Sequence, residues 1–181
     1  MVHVFSTNNS ESLGTFEYTK NGNTITEIYT YNSNGSFSSN YTNTSIIELG
    51  DEGLPVRMDV KRADGNTFFR IYEYQDGNLT IDKIIYSFIV EDDYYTERQI
   101  YTYDDKKGAL YYCQTPKWYL ILYLNDFGIK NNVTHSGGTW PPRTWYTYEY
   151  HNSEFPAKRT VSTSGHMTHS EGIEEFIYIT K

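Results

Sequence analysis

Closely spaced hairpin-turn signals divide this sequence into segments too short for most folds. Asn21-Gly22, Asn34-Gly35, Asp51-Glu52-Gly53, Asp64-Gly65 and Asp76-Gly77 carry residues that tolerate a positive φ, as primed hairpin turns require. Between them lie stretches rich in β-branched and aromatic side chains: Thr24 to Tyr31, Pro55 to Lys61, Thr67 to Tyr74 and Leu79 to Val90. Each alternates with period two, the spacing of a strand with one packed face. Helical spacing persists nowhere for three turns. Its one candidate is Pro116 to Phe127, where Trp118, Leu120, Leu122 and Leu124 fit strand alternation equally well, so an irregular or short helical insertion is expected near 114–128.

An aromatic-x-aromatic unit followed by a turn recurs at Phe16-Glu17-Tyr18, Tyr29-Thr30-Tyr31, Tyr72-Glu73-Tyr74, Tyr101-Thr102-Tyr103 and Tyr146-Thr147-Tyr148-Glu149-Tyr150. The units start near multiples of about 14 residues apart, which suits one strand plus one turn. The alternation sets an aromatic stripe on one face and Thr, Glu, Lys or Gln on the other, so one face is packed and one is wet. The expected fold is an all-β, antiparallel up-and-down meander of about ten to twelve strands, curled into a barrel or a strongly bent sheet so that its edges are protected. One domain spans residues 1–181, with residues 1–12 expected as a poorly ordered N-terminal tail.

Charge and composition narrow the function. A formal net charge of −8 opposes binding to nucleic acid, itself a polyanion. The chain is not expected to span a membrane: no apolar run approaches about 18 residues, and charges stand opposite the aromatics on nearly every strand, wrong for a lipid-facing barrel. Cys113 is the only cysteine, which rules out an intrachain disulfide and leaves a small buried hydrophobe as its expected role. No cofactor motif is present.

The run Tyr101-Thr102-Tyr103-Asp104-Asp105-Lys106-Lys107-Gly108, the irregular stretch Trp118 to Gly128, and Lys130-Asn131-Asn132-Val133-Thr134 resemble an uncharacterised group of exported Bacteroidetes proteins. Tyr146-Thr147-Tyr148-Glu149-Tyr150 with Phe155-Pro156-Ala157-Lys158-Arg159 fits the closing hairpin of the same group. That group is described as a domain of unknown function with a porin-like fold, and its hairpins look like the Tyr-Asp repeats of Rhs-type surface proteins. Its members are typically envelope lipoproteins. The resemblance therefore implies export to the periplasm or the outer-membrane surface, with a lipid anchor in the full-length form and Met1 following a removed signal. No lipobox cysteine stands in this sequence, and the group supplies no catalytic residues.

Candidate sites follow from residue chemistry. Gly137-Gly138-Thr139-Trp140-Pro141-Pro142-Arg143 joins flexible glycines to a stiff Pro-Pro pair, so Trp140 sits on a long loop. It either plugs one end of the sheet or, with Trp118, Arg143 and Trp145, presents rings and a cation to a ligand. His166 and His169 with Glu171 are the nearest approach to a metal cluster, but i, i+3 spacing sends the two imidazoles to opposite faces of a strand. Asp92-Asp93 and Asp104-Asp105 are acidic neighbours in turns, whereas a glycosidase needs two carboxyls about 5 to 9 Å apart across a cleft. Cys113 with His135 or His151 lacks a recognised nucleophile context. The expected function is a non-catalytic cell-envelope protein that binds a glycan or an envelope protein partner through end loops. The alternatives are a carrier of a small apolar ligand inside an aromatic-lined barrel and a glycan-acting hydrolase.

Overall fold

The turns place strand ends where their residues predict. The structure, a computed structural model, describes residues 2–6, 12–33, 40–87, 94–139, 142–152, 154–165 and 169–178. Strands occupy Val2–Ser6 (β1), Ser12–Asn21 (β2), Thr24–Ser33 (β3), Tyr41–Leu49 (β4), Pro55–Lys61 (β5), Thr67–Gln75 (β6), Asn78–Ser87 (β7), Tyr94–Lys107 (β8), Asn131–Gly138 (β9), Arg143–His151 (β10), Phe155–Ser164 (β11) and His169–Glu175 (β12). Each lies beside its neighbour in sequence, in the order β1 to β12. The chain is thus the all-β antiparallel meander that its punctuation predicts. At the β6–β7 turn both central residues, Asp76 (φ 51°) and Gly77 (φ 76°), are left-handed, the geometry of a type I′ hairpin. Val2–Ser6, assigned from sequence to an N-terminal tail, forms β1 and pairs with β2 from Val2↔Glu17 to Ser6↔Leu13. The Asn34-Gly35 signal and residues 88–90 of the Leu79 to Val90 segment lie outside the described residues.

Packing falls into two compact units, Met1–Ile71 with Ile84–Thr96, and Tyr72–Lys83 with Glu97–Lys181. In the first unit, register sets Ile25 opposite Ile47 and Ile47 opposite Met58. Both isoleucines are completely buried, each contributing roughly 2 kcal/mol. The neighbouring row on that face runs Tyr18, Glu27, Ser45, Val60 and Phe68. Glu27 is a charge on the packed face, only 4% exposed, where the alternation rule expects charges to point outward. It is accommodated because Ser45 Oγ donates to its Oε1 at 3.1 Å and the Tyr18 hydroxyl also bonds to it. The opposite face carries Thr19, Thr26, Ile46, Asp59 and Phe69 in the corresponding row.

The second unit holds the expected insertion, a helix over Lys117–Leu124 (α1) followed by a 3-10 turn over Asn125–Phe127. Pro116 sits at its N-cap, compatible with a helix start, and Gly128, with φ +71°, ends the 3-10 turn. Trp118, Leu120 and Ile121 are buried, while Leu122 and Leu124 are only partly so. The packed set includes the i, i+3 pair of a helix rather than the every-second-residue set of a strand. A Cβ on Gly108 would stand 2.3 Å from the Gly128 oxygen, and one on Gly128 would stand 2.3 Å from the Asn131 oxygen. The chain leaving β8 and the chain entering β9 therefore approach so closely that only glycine fits at these two points.

Two tyrosines of this unit, Tyr103 and Tyr148, are half-buried and spend their hydroxyls on backbone. Tyr103 donates to the Leu79 oxygen at 2.6 Å and Tyr148 to the Val133 oxygen at 2.7 Å. Burial pushes the Tyr148 phenol up to about 12. A buried ring with a satisfied hydroxyl keeps its full apolar contribution, which is why so many Tyr can line one face.

Candidate functional site

Three segments of the second unit converge on an open cleft of about 830 Å³. The first is the turn that follows β8. Tyr111 N donates to the Gly108 oxygen at 3.0 Å, Leu110 N to the Gly128 oxygen at 3.1 Å and Cys113 N to the Leu110 oxygen at 2.9 Å. This tight winding pushes Tyr111, Tyr112 and Cys113 outward, and Tyr112 is 66% exposed. The second is the β10–β11 turn, where Asn152 takes φ 46° and Glu154 N closes back on the His151 oxygen at 3.1 Å. The third is the stretch after β12, tied down by Phe176 N to the Ala157 oxygen and by the Tyr178 hydroxyl to the Pro156 oxygen, both at 2.9 Å.

Rings from all three segments meet. Tyr112 and Phe155 have centroids 5.5 Å apart, Phe155 and Tyr178 5.7 Å, and His151 and Tyr178 6.3 Å. Lys107 Nζ lies 5.2 Å from the Phe155 centroid and 5.6 Å from that of Tyr112. It pairs with Glu154 Oε2 at 2.8 Å, and this hydrogen bond holds the Lys107 ammonium above its ordinary pKa. The cleft thus offers ring faces, a paired cation and anion beside them, and the polar side chains of His151 and Asn152 in its lining.

Two buried clusters support these walls. Arg159, 4% exposed, donates through Nε to Glu174 Oε2 at 2.7 Å and through Nη1 to the Asp126 oxygen at 2.6 Å. Its guanidinium carbon lies 4.4 Å from the Phe127 ring centroid and 4.8 Å from that of Tyr146, with the cleft residue Phe176 at 5.9 Å. Beside it the Asp126 carboxyl is raised by burial, with Arg159 opposing and Glu174 adding to the rise. In the other cluster Asp104 accepts from Lys106 N at 3.0 Å, Asn132 N at 3.1 Å and Asn132 Nδ2 at 3.2 Å, and from the Tyr150 hydroxyl. Asn132 Nδ2 also donates to the Lys107 oxygen at 3.0 Å, fixing the strand end from which Lys107 projects.

The residues singled out from sequence lie elsewhere, with one exception. Trp118 is packed inside the unit and presents no open ring face. Trp140 lies outside the described residues. Arg143 and Trp145 share the exposed face of β10, where the Trp145 ring stands 5.4 Å from His135. His166 lies outside the described residues, while His169 Nε2 and Glu171 Oε1 are 3.4 Å apart on exposed β12. The exception is the pair of Cys113 and His151, which line the same cleft. Cys113 is exposed and not the buried hydrophobe expected, because it ends a turn and belongs to no strand. Its thiol is expected to react with Ellman's reagent in native buffer nearly as fast as in denaturant. Reaction only after unfolding would contradict the cleft's geometry. Tyr112, Phe155 and Tyr178 were missed from sequence. The available signal was Tyr111-Tyr112, two large rings in a turn where polar residues are usual.

No family model matches the chain, and no curated protein matches it. Among solved structures it is similar to a porin-like protein from Bacteroides uniformis ATCC 8492, at 10% identity and a TM-score of 0.34, over 94% of this chain and 90% of that one. Among the described residues, no helix is long and apolar enough to cross a membrane.

Proposed function

We propose that the protein is a non-catalytic glycan-binding protein of the cell envelope and that the cleft beside Tyr112 is its site. The observation that carries this reading is the convergence of Tyr112, Phe155 and Tyr178 on an open cleft flanked by the Lys107–Glu154 pair. A pyranose has an apolar C–H face that stacks on such rings, and hydroxyls that both accept from an ammonium and donate to a carboxylate. An open cleft this size takes more than one sugar ring. The address is inferred from the resemblance of residues 101–160 to exported envelope proteins, with export and a lipid anchor belonging to that inference.

Glycan-array screening followed by calorimetry tests it. Tyr112→Ala is expected to weaken the best glycan by roughly ten-fold while leaving the far-ultraviolet spectrum unchanged. An array with no hits, or affinity indifferent to Tyr112→Ala, would remove the proposal. Arg143 and Trp145 on the exposed face of β10 are a second surface for the same assay or for a protein partner, read out by Trp145→Ala.

The apolar side chains of Ala109, Phe176 and Ile177 in the same lining favour a second reading, a small apolar ligand. Saturable binding of an environment-sensitive apolar dye, lost in Phe155→Ala and not displaced by any glycan, would favour it over the first.

A further inference from the structure

The first unit contains a separate pocket on its packed face, apolar in most of its lining but with Glu27 and Arg70 in it. Its volume is about 160 Å³, below the roughly 300 Å³ at which pockets for drug-sized ligands begin, so it suits one ring held partly inside and no longer chain. The cross-strand register explains its composition. Phe16 stands opposite Tyr29 and Tyr29 opposite Asn43 in one row, while Glu27, Ser45, Val60 and Phe68 form the next. Arg70, opposite Met58, enters the lining from β6. The Phe16 and Tyr29 rings are stacked with centroids 4.6 Å apart.

We propose that this pocket binds a single neutral sugar ring, with Glu27 and Arg70 as its polar contacts and Phe16, Tyr29 and Phe68 as its apolar walls. Three observations carry the assignment. Glu27 is a carboxylate on the packed face that it shares with the buried Ile25, Ile47, Met58 and Val60, and it is 4% exposed. Burying an ionised carboxylate is costly in folding, typically several kcal/mol before its partners compensate, and an apolar residue in that row would avoid the cost. The pocket holds one acidic and one basic side chain, so its formal charge balances. A cationic ligand would meet Arg70 and an anionic one would meet Glu27, whereas an uncharged polyol donates to the first group and accepts from the second. Aromatic walls beside such a charged pair suit a ring with an apolar face and a hydroxylated rim.

The residues involved are wholly different from those of the cleft, and the inference stands whether or not the cleft binds glycans. The test is amide chemical-shift mapping on the full chain with glucose, galactose, mannose and N-acetylglucosamine as probes, and with choline and acetate as charged controls. The expected result is weak, saturable perturbation of the Glu27, Tyr29, Asn43 and Ser45 amides by at least one neutral sugar, with charged probes silent there. Glu27→Gln and the milder Phe68→Leu should each weaken it by about ten-fold, and Tyr112→Ala should leave it unchanged. A pocket unperturbed by every sugar, equal binding in both pocket variants, or a preference for choline or acetate would overturn the assignment. Loss in Tyr112→Ala with no change in the pocket variants would place all binding in the cleft, and overturns it too.

Discussion

Arg159→Met is expected to destabilise the protein by about 3 kcal/mol at neutral pH, at the lower end of the range for breaking a buried ion pair. Arg159 is 4% exposed and holds both the Glu174 carboxylate and the Asp126 carbonyl, with Phe127 and Tyr146 against its guanidinium. The Glu174 side chain retains 44% of its exposure and can turn to water once released, which keeps the loss below the extreme. The pH dependence gives an independent check. Burial holds the Asp126 carboxyl above its ordinary value of 3.8, and Arg159 opposes that rise. A carboxyl that binds its proton more tightly in the folded state stabilises the fold fully below the unfolded value, and the contribution is lost as pH rises through the folded value. Without Arg159 the folded value climbs further. Urea titrations should therefore show a larger deficit in Arg159→Met at neutral pH than in mild acid. A deficit under about 1 kcal/mol, in the range of an exposed pair, would mean that the cage is only a surface contact.

Asp104→Ala should cost about 3 kcal/mol by a different route. Its carboxylate accepts from the backbone N–H and the side-chain amide of Asn132, which is completely buried, and from the Tyr150 hydroxyl. Truncation strands buried donors, each worth about 1–3 kcal/mol when left unmade. The cluster has little slack, since Asn132 Oδ1 already has no partner among the described residues. Asp105, the adjacent carboxylate, is 87% exposed on its side chain, so Asp105→Ala should stay within about 0.5 kcal/mol. Equal effects in chemical denaturation would show that the Asp104 network does not hold β8 to β9.

The strands were legible because alternation and turn chemistry are local. Pro55–Lys61 was bounded correctly from Gly53 and the Asp64-Gly65 signal alone. The helix at Lys117–Leu124 was ambiguous for a physical reason: with an aliphatic or aromatic residue at every position after Lys117, periods of 2 and 3.6 both find apolar partners, and only packing chooses. Glu27 was readable in part, since it stands two residues from both Ile25 and Tyr29 and must share their face. What the sequence could not show is that Tyr18 and Ser45 would be there to bond it. The cleft was illegible because residues near 112, 151–155 and 176–178 are brought together by three separate turns, and no spacing rule links them. Cys113 was expected in the core by residue type alone.

The close approach of Gly108 to Gly128 has a consequence for the order of folding. The pairs β2–β3, β4–β5 and β5–β6 close over short turns, so their entropy of loop closure is small and they can zip in microseconds. β8 and β9 instead pair across residues 108–130, with α1 between them. That longer closure costs more chain entropy, so pairing of β8 with β9 is expected to follow those hairpins, an order that pulsed hydrogen exchange on the β8 and β9 amides would read.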